Sequence, residues 1–229
     1  MKRFFVTGTD TEIGKTFVTC GLLVALRDRG INAAPMKPIA AGTIEQDGGS
    51  ANEDVHALLA TYGKPLRTSL VNPYCFREPI APHIAAVHEN RVVDLASIRT
   101  AYDTLSSSHD TVLVEGAGGF LVPLSATEST SILPVTLELD VILVVGMRLG
   151  CLNHALLTAE AIAARGLRLA GWVANTVDTN MSCFAENVAT LTAALPAPCL
   201  GIVPRLPPSE PTASAKVAAT FLNVEPLLD

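Results

Sequence analysis

Near its amino terminus the chain carries Gly8-Thr9-Asp10-Thr11-Glu12-Ile13-Gly14-Lys15-Thr16, set between an apolar run and a helical pattern. Glycines let backbone N–H groups curl around an anion, a helix start adds the positive end of its dipole, and a lysine supplies a point charge. That combination is a phosphate loop. Ile13, Gly14, Lys15, Thr16 and Phe17 are its nucleotide-binding candidates, and the Thr16 hydroxyl can reach Mg²⁺. Five residues separate Gly8 from Gly14, where the common pattern has four, so the loop follows a family variant. A glycine-bearing turn with a chance Lys-Thr is the competing reading; the flanking strand and helix patterns argue against it.

Ligands of open α/β sheets bind beyond the carboxyl ends of the strands. Lys37 stands at such an end, with Pro38 turning the chain after it; a solvated surface lysine is the alternative. Glu115 closes the apolar run Val112-Leu113-Val114, where an acid can assist a metal ion. Gly116, Ala117, Gly118 and Gly119 then allow close backbone approach to a ligand. Asp54, early on a predicted helix, serves either the helix dipole or Mg²⁺, and spacing leaves both open. Asn175 ends the run Trp172-Val173-Ala174 and offers a donor and an acceptor to a purine edge, with a structural turn equally compatible. Gly150-Cys151-Leu152-Asn153 opens a further helix, whose free amides can hold a carboxylate. Cys151 is a packing residue on this reading, and the five histidines are scattered without a metal-ligand pattern.

These residues need a framework. Apolar runs at Arg3 to Thr7, Ile31 to Lys37, Thr111 to Glu115, Val141 to Val145, Leu167 to Ala174 and Cys199 to Val203 read as strands. Helical patterns cover Lys15 to Arg29, Asn52 to Tyr62, Asp94 to about Leu105, Asn153 to Arg165, Ser182 to Leu195 and Ala213 to Leu222. The Pro-rich passage Pro65 to Pro82 reads as irregular. All-apolar strands alternating with helices imply a mostly parallel sheet with helices on both faces. The expectation is a single α/β domain of P-loop type over residues 1–229.

Composition agrees and excludes other classes. Hydrophobic residues make up 49% of the 229 and charged residues 17%, too apolar for disorder. Sixteen basic against 22 acidic residues leave a net charge of −6 without a basic run, which argues against a nucleic-acid partner. The apolar run Val141 to Met147 is too short to span a bilayer, and no signal-peptide pattern is present. Five cysteines without CxxC spacing suit neither a disulfide framework nor a zinc site, so a cytoplasmic location is expected.

Taken in order, GTDTEIGKT (Gly8 to Thr16), KPIAAG (Lys37 to Gly42), NPYCF (Asn72 to Phe76), PHIA (Pro82 to Ala85), VEGAGG (Val114 to Gly119), RLGCLNHA (Arg148 to Ala155) and GWVAN (Gly171 to Asn175) closely resemble the dethiobiotin synthetases. The resemblance runs to about Leu206. It implies an ATP- and Mg²⁺-dependent ligase of biotin synthesis that closes a cyclic urea on 7,8-diaminopelargonate with CO₂ or bicarbonate, releasing ADP and phosphate. A carbamate forms on one amine, its oxygen attacks the γ-phosphate, and the second amine displaces phosphate from the mixed anhydride. By the same likeness Lys37, Lys15 and Thr11 are catalytic, and Thr16, Asp54 and Glu115 carry Mg²⁺. Glu12 lines the phosphates, while Asn175, Thr176, Pro204, Arg205 and Leu206 surround adenine. Ala41 and Gly150 to Asn153 face the substrate, the latter segment holding its carboxylate tail across a homodimer.

Three positions depart from that family's usual residues. Ala41 replaces a common serine, Arg148 a common lysine, and Asn187 lies near a tyrosine that covers the substrate tail in some members. Two other classes compete. Nucleotide-switch ATPases of cell division and plasmid partition carry a lysine two residues after the first glycine, where this chain has Asp10. Cobyrinic-acid amidating ligases add a glutaminase domain, for which 229 residues leave no space.

Overall fold

The computed structural model describes residues 2–46, 49–207 and 209–228. In chain order the elements are β1 (Phe4–Gly8), α1 (Lys15–Asp28), β2 (Ala33–Met36), β3 (Ile39–Ala41), β4 (Ile44–Gln46), β5 (Gly49–Ala51), α2 (Glu53–Tyr62), α3 (Thr68–Val71), β6 (Tyr74–Phe76), α4 (Pro82–His88) and α5 (Leu95–Ser106). They continue with β7 (Thr111–Glu115), α6 (Ile132–Leu137), β8 (Asp140–Met147), α7 (Cys151–Ala163), β9 (Leu169–Thr176), α8 (Phe184–Ala194), β10 (Cys199–Val203) and α9 (Pro211–Ala219).

The central sheet has the order β10-β9-β8-β1-β7-β2, with every neighbouring pair parallel. Strands alternate their side chains between two faces. Phe4 and Val6 of β1 therefore enter one core with Leu22 and Leu26 of α1, while Phe5 enters the other with Ile98 and Tyr102 of α5. On β8, Ile142 and Val144 face the α1 side, and Val141, Leu143 and Val145 face the opposite side. Two covered faces explain why these strands are apolar throughout. They also explain α1, which packs between sheet and α9 and is buried from Val18 to Leu26. The predicted α/β class is the observed one.

Several boundaries shift, including β8, which runs from Asp140 to Met147, and β9, which runs from Leu169 to Thr176. The strand expected over Ile31 to Lys37 is confined to Ala33–Met36, because Gly30 and Ile31 are still turning back onto α1 through bonds to Arg27 and Leu26. The helix expected from Asn153 begins at Cys151, since Gly150 with φ of 94° serves as its cap. The final helix starts at Pro211, as suits a proline at the first helical position, and stops at Ala219. The helix expected over Ser182 to Leu195 is Phe184–Ala194.

Pro65 to Pro82, expected to be irregular, is so only in part. It contains α3 and β6, and β6 pairs in parallel with β3 in a small second sheet, which single-residue patterns in a Pro-rich passage do not announce. Helices α4 and α6 and the antiparallel pair β4–β5 were likewise not expected from the sequence; the helices have seven and six residues and the strands three each, too short for a clear period.

Candidate active site

The phosphate loop leaves the carboxyl end of the central strand β1, whose neighbours β7 and β8 lie on opposite sides. Thr9 pins it there: its N–H donates to the Val144 carbonyl at 3.0 Å, and its hydroxyl accepts from Gly146 N–H at 3.2 Å. Gly14, at φ of 82°, caps α1, and Glu12 holds a left-handed conformation at φ of 56°. Lys15 is buried and donates to the Asp10 carbonyl at 2.8 Å. Burial, partly offset by Glu115 and reinforced by Lys37, lowers the Lys15 pKa to about 8.

Glu115 reaches this loop from β7. Its side chain falls on the α1 side with Leu113, while Val112 and Val114 point the other way. Fully buried, it accepts from Thr16 Oγ1 and from Lys37 Nζ, both at 2.6 Å and both on Oε1. Lys37 Nζ also stands 2.8 Å from Asp54 Oδ2. Lys37 is only 4% exposed, so the solvated-lysine alternative does not hold. Its burial would lower its pKa, but the Glu115 and Asp54 carboxylates raise it above the ordinary lysine value. Burial likewise works to raise the Asp54 pKa, and Lys37, with Thr16 and Lys15, brings it below the usual carboxylate value.

Two asparagines that the composition of the loops did not single out position these groups. Asn72 Nδ2 donates to the Lys37 carbonyl at 2.6 Å, and Lys37 N–H donates to the Val71 carbonyl at 2.8 Å. Asn52 caps α2 by accepting from Val55 N–H at 3.2 Å and ties it to the Gly42 carbonyl at 2.7 Å. Asp54 is thereby fixed in the first turn of α2. The readable signal for Asn52 was an asparagine just before a helical period; for Asn72 there was none beyond the NPYCF motif.

The remaining candidates occupy the same edge. Gly118 faces Thr11: a Cβ added there would lie 3.4 Å from the Thr11 hydroxyl and 2.7 Å from Val122. Gly116 lies against Phe5, with 2.8 Å left for a Cβ, and Ala117 links the two. Asn175 is buried beneath the phosphate loop, its Nδ2 donating to the Ile13 carbonyl at 2.7 Å. This bond reaches across 162 residues and is neither a local asparagine turn nor a contact to a base. Register places Val203 beside Asn175, so Thr176 and the segment Pro204-Arg205-Leu206 are neighbours, and Arg205 donates to the Val177 carbonyl at 3.3 Å. Ala41 ends β3, and its carbonyl accepts from Asn52 at 3.3 Å. Gly150 to Asn153 open α7, with Cys151 buried and Asn153 exposed. A cavity of about 490 Å³ adjoins Thr16, Phe17 and Asp54, walled by Cys20 and by Pro211 and Ser214 of α9.

The donor set suits a hard cation. Thr16, Asp54 and Glu115 supply oxygen alone, and Glu115 Oε2 is buried with no hydrogen-bond partner, an acceptor left for a further cationic or donor group. Among the described residues no cluster of three or more His, Cys, Asp or Glu side chains forms. Two carboxylates suit an ion that completes its shell with phosphate oxygens and water.

A phosphate loop at the centre of a parallel sheet, with a lysine and two carboxylates converging on its helix, defines a P-loop nucleotide-binding protein. A family model described as an AAA domain matches residues 2–213. Among solved structures, the MinC:MinD cell division protein complex of Aquifex aeolicus superposes with a TM-score of 0.58 at 13% identity, covering 96% of this chain and 92% of that one. A ParA family ATPase from Chlorobium tepidum gives 0.54 at 14% identity, covering 97% and 100%. These two share the fold. Similarity of sequence lies elsewhere: the ATP-dependent dethiobiotin synthetase BioD of Cellvibrio japonicus is 50% identical, covering 100% of this chain and 98% of that protein. The enzyme of the same name from Aromatoleum aromaticum is 50% identical, covering 96% of each. The chain belongs to the dethiobiotin synthetase family.

Proposed function

We propose that this protein is an ATP- and Mg²⁺-dependent cyclo-ligase that converts 7,8-diaminopelargonate and CO₂ to dethiobiotin. The observation that carries this reading is the buried Lys37 ammonium, fixed beside a phosphate loop that already holds Lys15. A carbamate and a triphosphate repel one another, and their approach requires cations in a site with little water. Lys15 contacts the phosphates by exchanging its bond to the Asp10 carbonyl for phosphate oxygens. Lys37 moves from the carboxylates towards the carbamate and γ-phosphate oxygens, and Thr11, facing Gly118, lines the same space. Thr16, Asp54 and Glu115 would hold Mg²⁺, which supplies neutralisation of charge developing on the phosphoryl oxygens.

Around this centre, backbone amides of Glu12 to Phe17 and of Gly116 to Gly118 surround the phosphates, and Asn175, Thr176 and Pro204 to Leu206 surround adenine. Ala41 and Gly150 to Asn153 serve the diamine substrate. A homodimer is part of this reading: Leu149, two residues before α7, is 95% exposed and Leu157, at the middle of α7, is 57% exposed, apolar groups near the tail-binding segment. A cytoplasmic location also belongs to it; among the described residues no helix is long and apolar enough to cross a membrane.

The test is ADP release measured with Mg-ATP while bicarbonate and the diamine are added singly and together, with the product identified by mass. Release that requires both, with stoichiometric dethiobiotin, is the expected result. Steady turnover without the diamine would point to a nucleotide switch of the kind the fold also serves, and no turnover with both present would remove the ligase reading.

A further inference from the structure

Asp10 sits inside a loop built to attract anions, so its negative charge is adverse to the ligand that the loop takes. It nevertheless has structural work there. Its carbonyl accepts from Lys15 Nζ at 2.8 Å, and its Oδ1 accepts from Thr11 N–H at 2.8 Å. The other carboxylate oxygen, Oδ2, is met by the guanidinium of Arg148. Arg148 follows β8 and is anchored by its own carbonyl, which accepts from Cys151 N–H at 3.0 Å as α7 begins. The arginine thus reaches the phosphate loop from a rigid strand end 138 residues away in sequence.

We infer that Arg148 is a positioning residue of the phosphate loop, cancelling the charge of Asp10 so that this aspartate can shape the loop without repelling phosphate. The inference rests on reading Gly8 to Thr16 as a phosphate loop. Both side chains are close to half exposed, at 45% and 43%, so the pair contributes little to folding and its variants remain folded. A ligand phosphate is different, because it stays within a few ångströms of the carboxylate and meets the full local charge. Within the loop itself the other charged side chains are Lys15, already committed to the Asp10 carbonyl, and the exposed Glu12, which adds to the negative side; Lys37, Asp54 and Glu115 beside it are the same in every variant. Without Arg148 the loop's charged side chains therefore sum to −1, taking Asp10 and Glu12 as negative and Lys15 as positive.

The experiment is Mg-ADP binding by calorimetry on the full chain, with thermal melting to verify folding. Arg148→Met weakens binding roughly tenfold at low salt, and this loss shrinks at high ionic strength where the field is screened. Arg148→Lys retains near wild-type affinity. The decisive variant is Asp10→Asn combined with Arg148→Met. It restores the local charge and keeps the Oδ1 acceptor for Thr11, so affinity returns to within about threefold of wild type. A double variant as weak as Arg148→Met alone would overturn the inference and place Arg148 directly on the ligand or in a purely structural role. Wild-type protein that fails to bind Mg-ADP at all would overturn the phosphate-loop reading and this inference together.

Discussion

Lys37 Nζ lies 2.6 Å from Oε1 of Glu115, 78 residues away in sequence, and both groups are withdrawn from water. The same oxygen accepts from Thr16, so the second lysine, an acid and the phosphate-loop threonine meet at one atom. Removing Lys37 leaves the buried Glu115 carboxylate without its ion-pair partner, at a cost of about 3–5 kcal/mol, whereas removing Glu115 leaves Lys37 still paired with Asp54. Catalysis and stability are therefore coupled here, and experiments on this site need to separate them.

Lys37→Ala is expected to lower ring closure by about a hundredfold or more, the scale seen when one electrostatic stabiliser is lost from a transition state. Mg-ADP binding should persist. Urea unfolding should show a loss of about 3 kcal/mol, and adding Glu115→Gln to the variant should recover part of it. Unchanged product formation by Lys37→Ala would remove that lysine from the mechanism.

Glu115→Gln tests the metal set separately. A carboxamide oxygen can still accept from Thr16, so the fold of the loop is preserved, but the anionic ligand is gone. ADP affinity measured in EDTA should change by less than about threefold, roughly the effect of one neutral hydrogen bond. The strengthening that Mg²⁺ gives the wild-type protein should disappear. Retention of full Mg²⁺ enhancement in the variant would take Glu115 out of the ion's shell.

Gly14→Ala is a sharper test of the loop's packing. A Cβ there would lie 2.3 Å from Asn175 Nδ2, at a φ of 82° that side chains rarely adopt. The expected outcome is a loss of about 1–3 kcal/mol from backbone strain and overpacking, with nucleotide binding abolished. Asn175→Ala, which opens space but orphans the Ile13 carbonyl, should weaken binding severalfold and leave the chain folded; calorimetry and melting distinguish the two.

Thiol chemistry should divide the cysteines by burial. Cys183 is exposed, whereas Cys20 is 3% exposed in the α1 core, and burial pushes its pKa up to about 12. A thiol reagent at neutral pH should label Cys183 first and Cys20 only on unfolding. Because the folded thiol titrates above the unfolded one, stability should be unaffected below pH 9 and fall as pH rises from there towards 12. Cys20→Ala should remove that alkaline component. Rapid labelling of Cys20 in the folded protein would contradict its placement.

Much of the site was legible because its signals are local. A helix start, a glycine with positive φ and a lysine next to it are all set by neighbours in the chain, so the phosphate loop could be read from Gly8 to Thr16. Short continuous apolar runs announced five of the six central strands to within about two residues of their ends. Asp54 and Asn175 were different: each residue type suited two roles. Spacing within one segment does not tell which partner from another segment stands opposite.

The amino-acid order alone determined the strands, their separating helices and the presence of an acid or lysine at particular strand ends, since backbone propensity and side-chain alternation act over a few residues. Only the tertiary structure decided that β7 lies between β1 and β2, and hence that Glu115 and Lys37 share an edge. It also decided that Asn72 clamps Lys37 and that Arg148 meets Asp10. Strand order follows from how two helical layers cover a twisted sheet, a property of the whole packed chain, and long-range polar partners follow from that order.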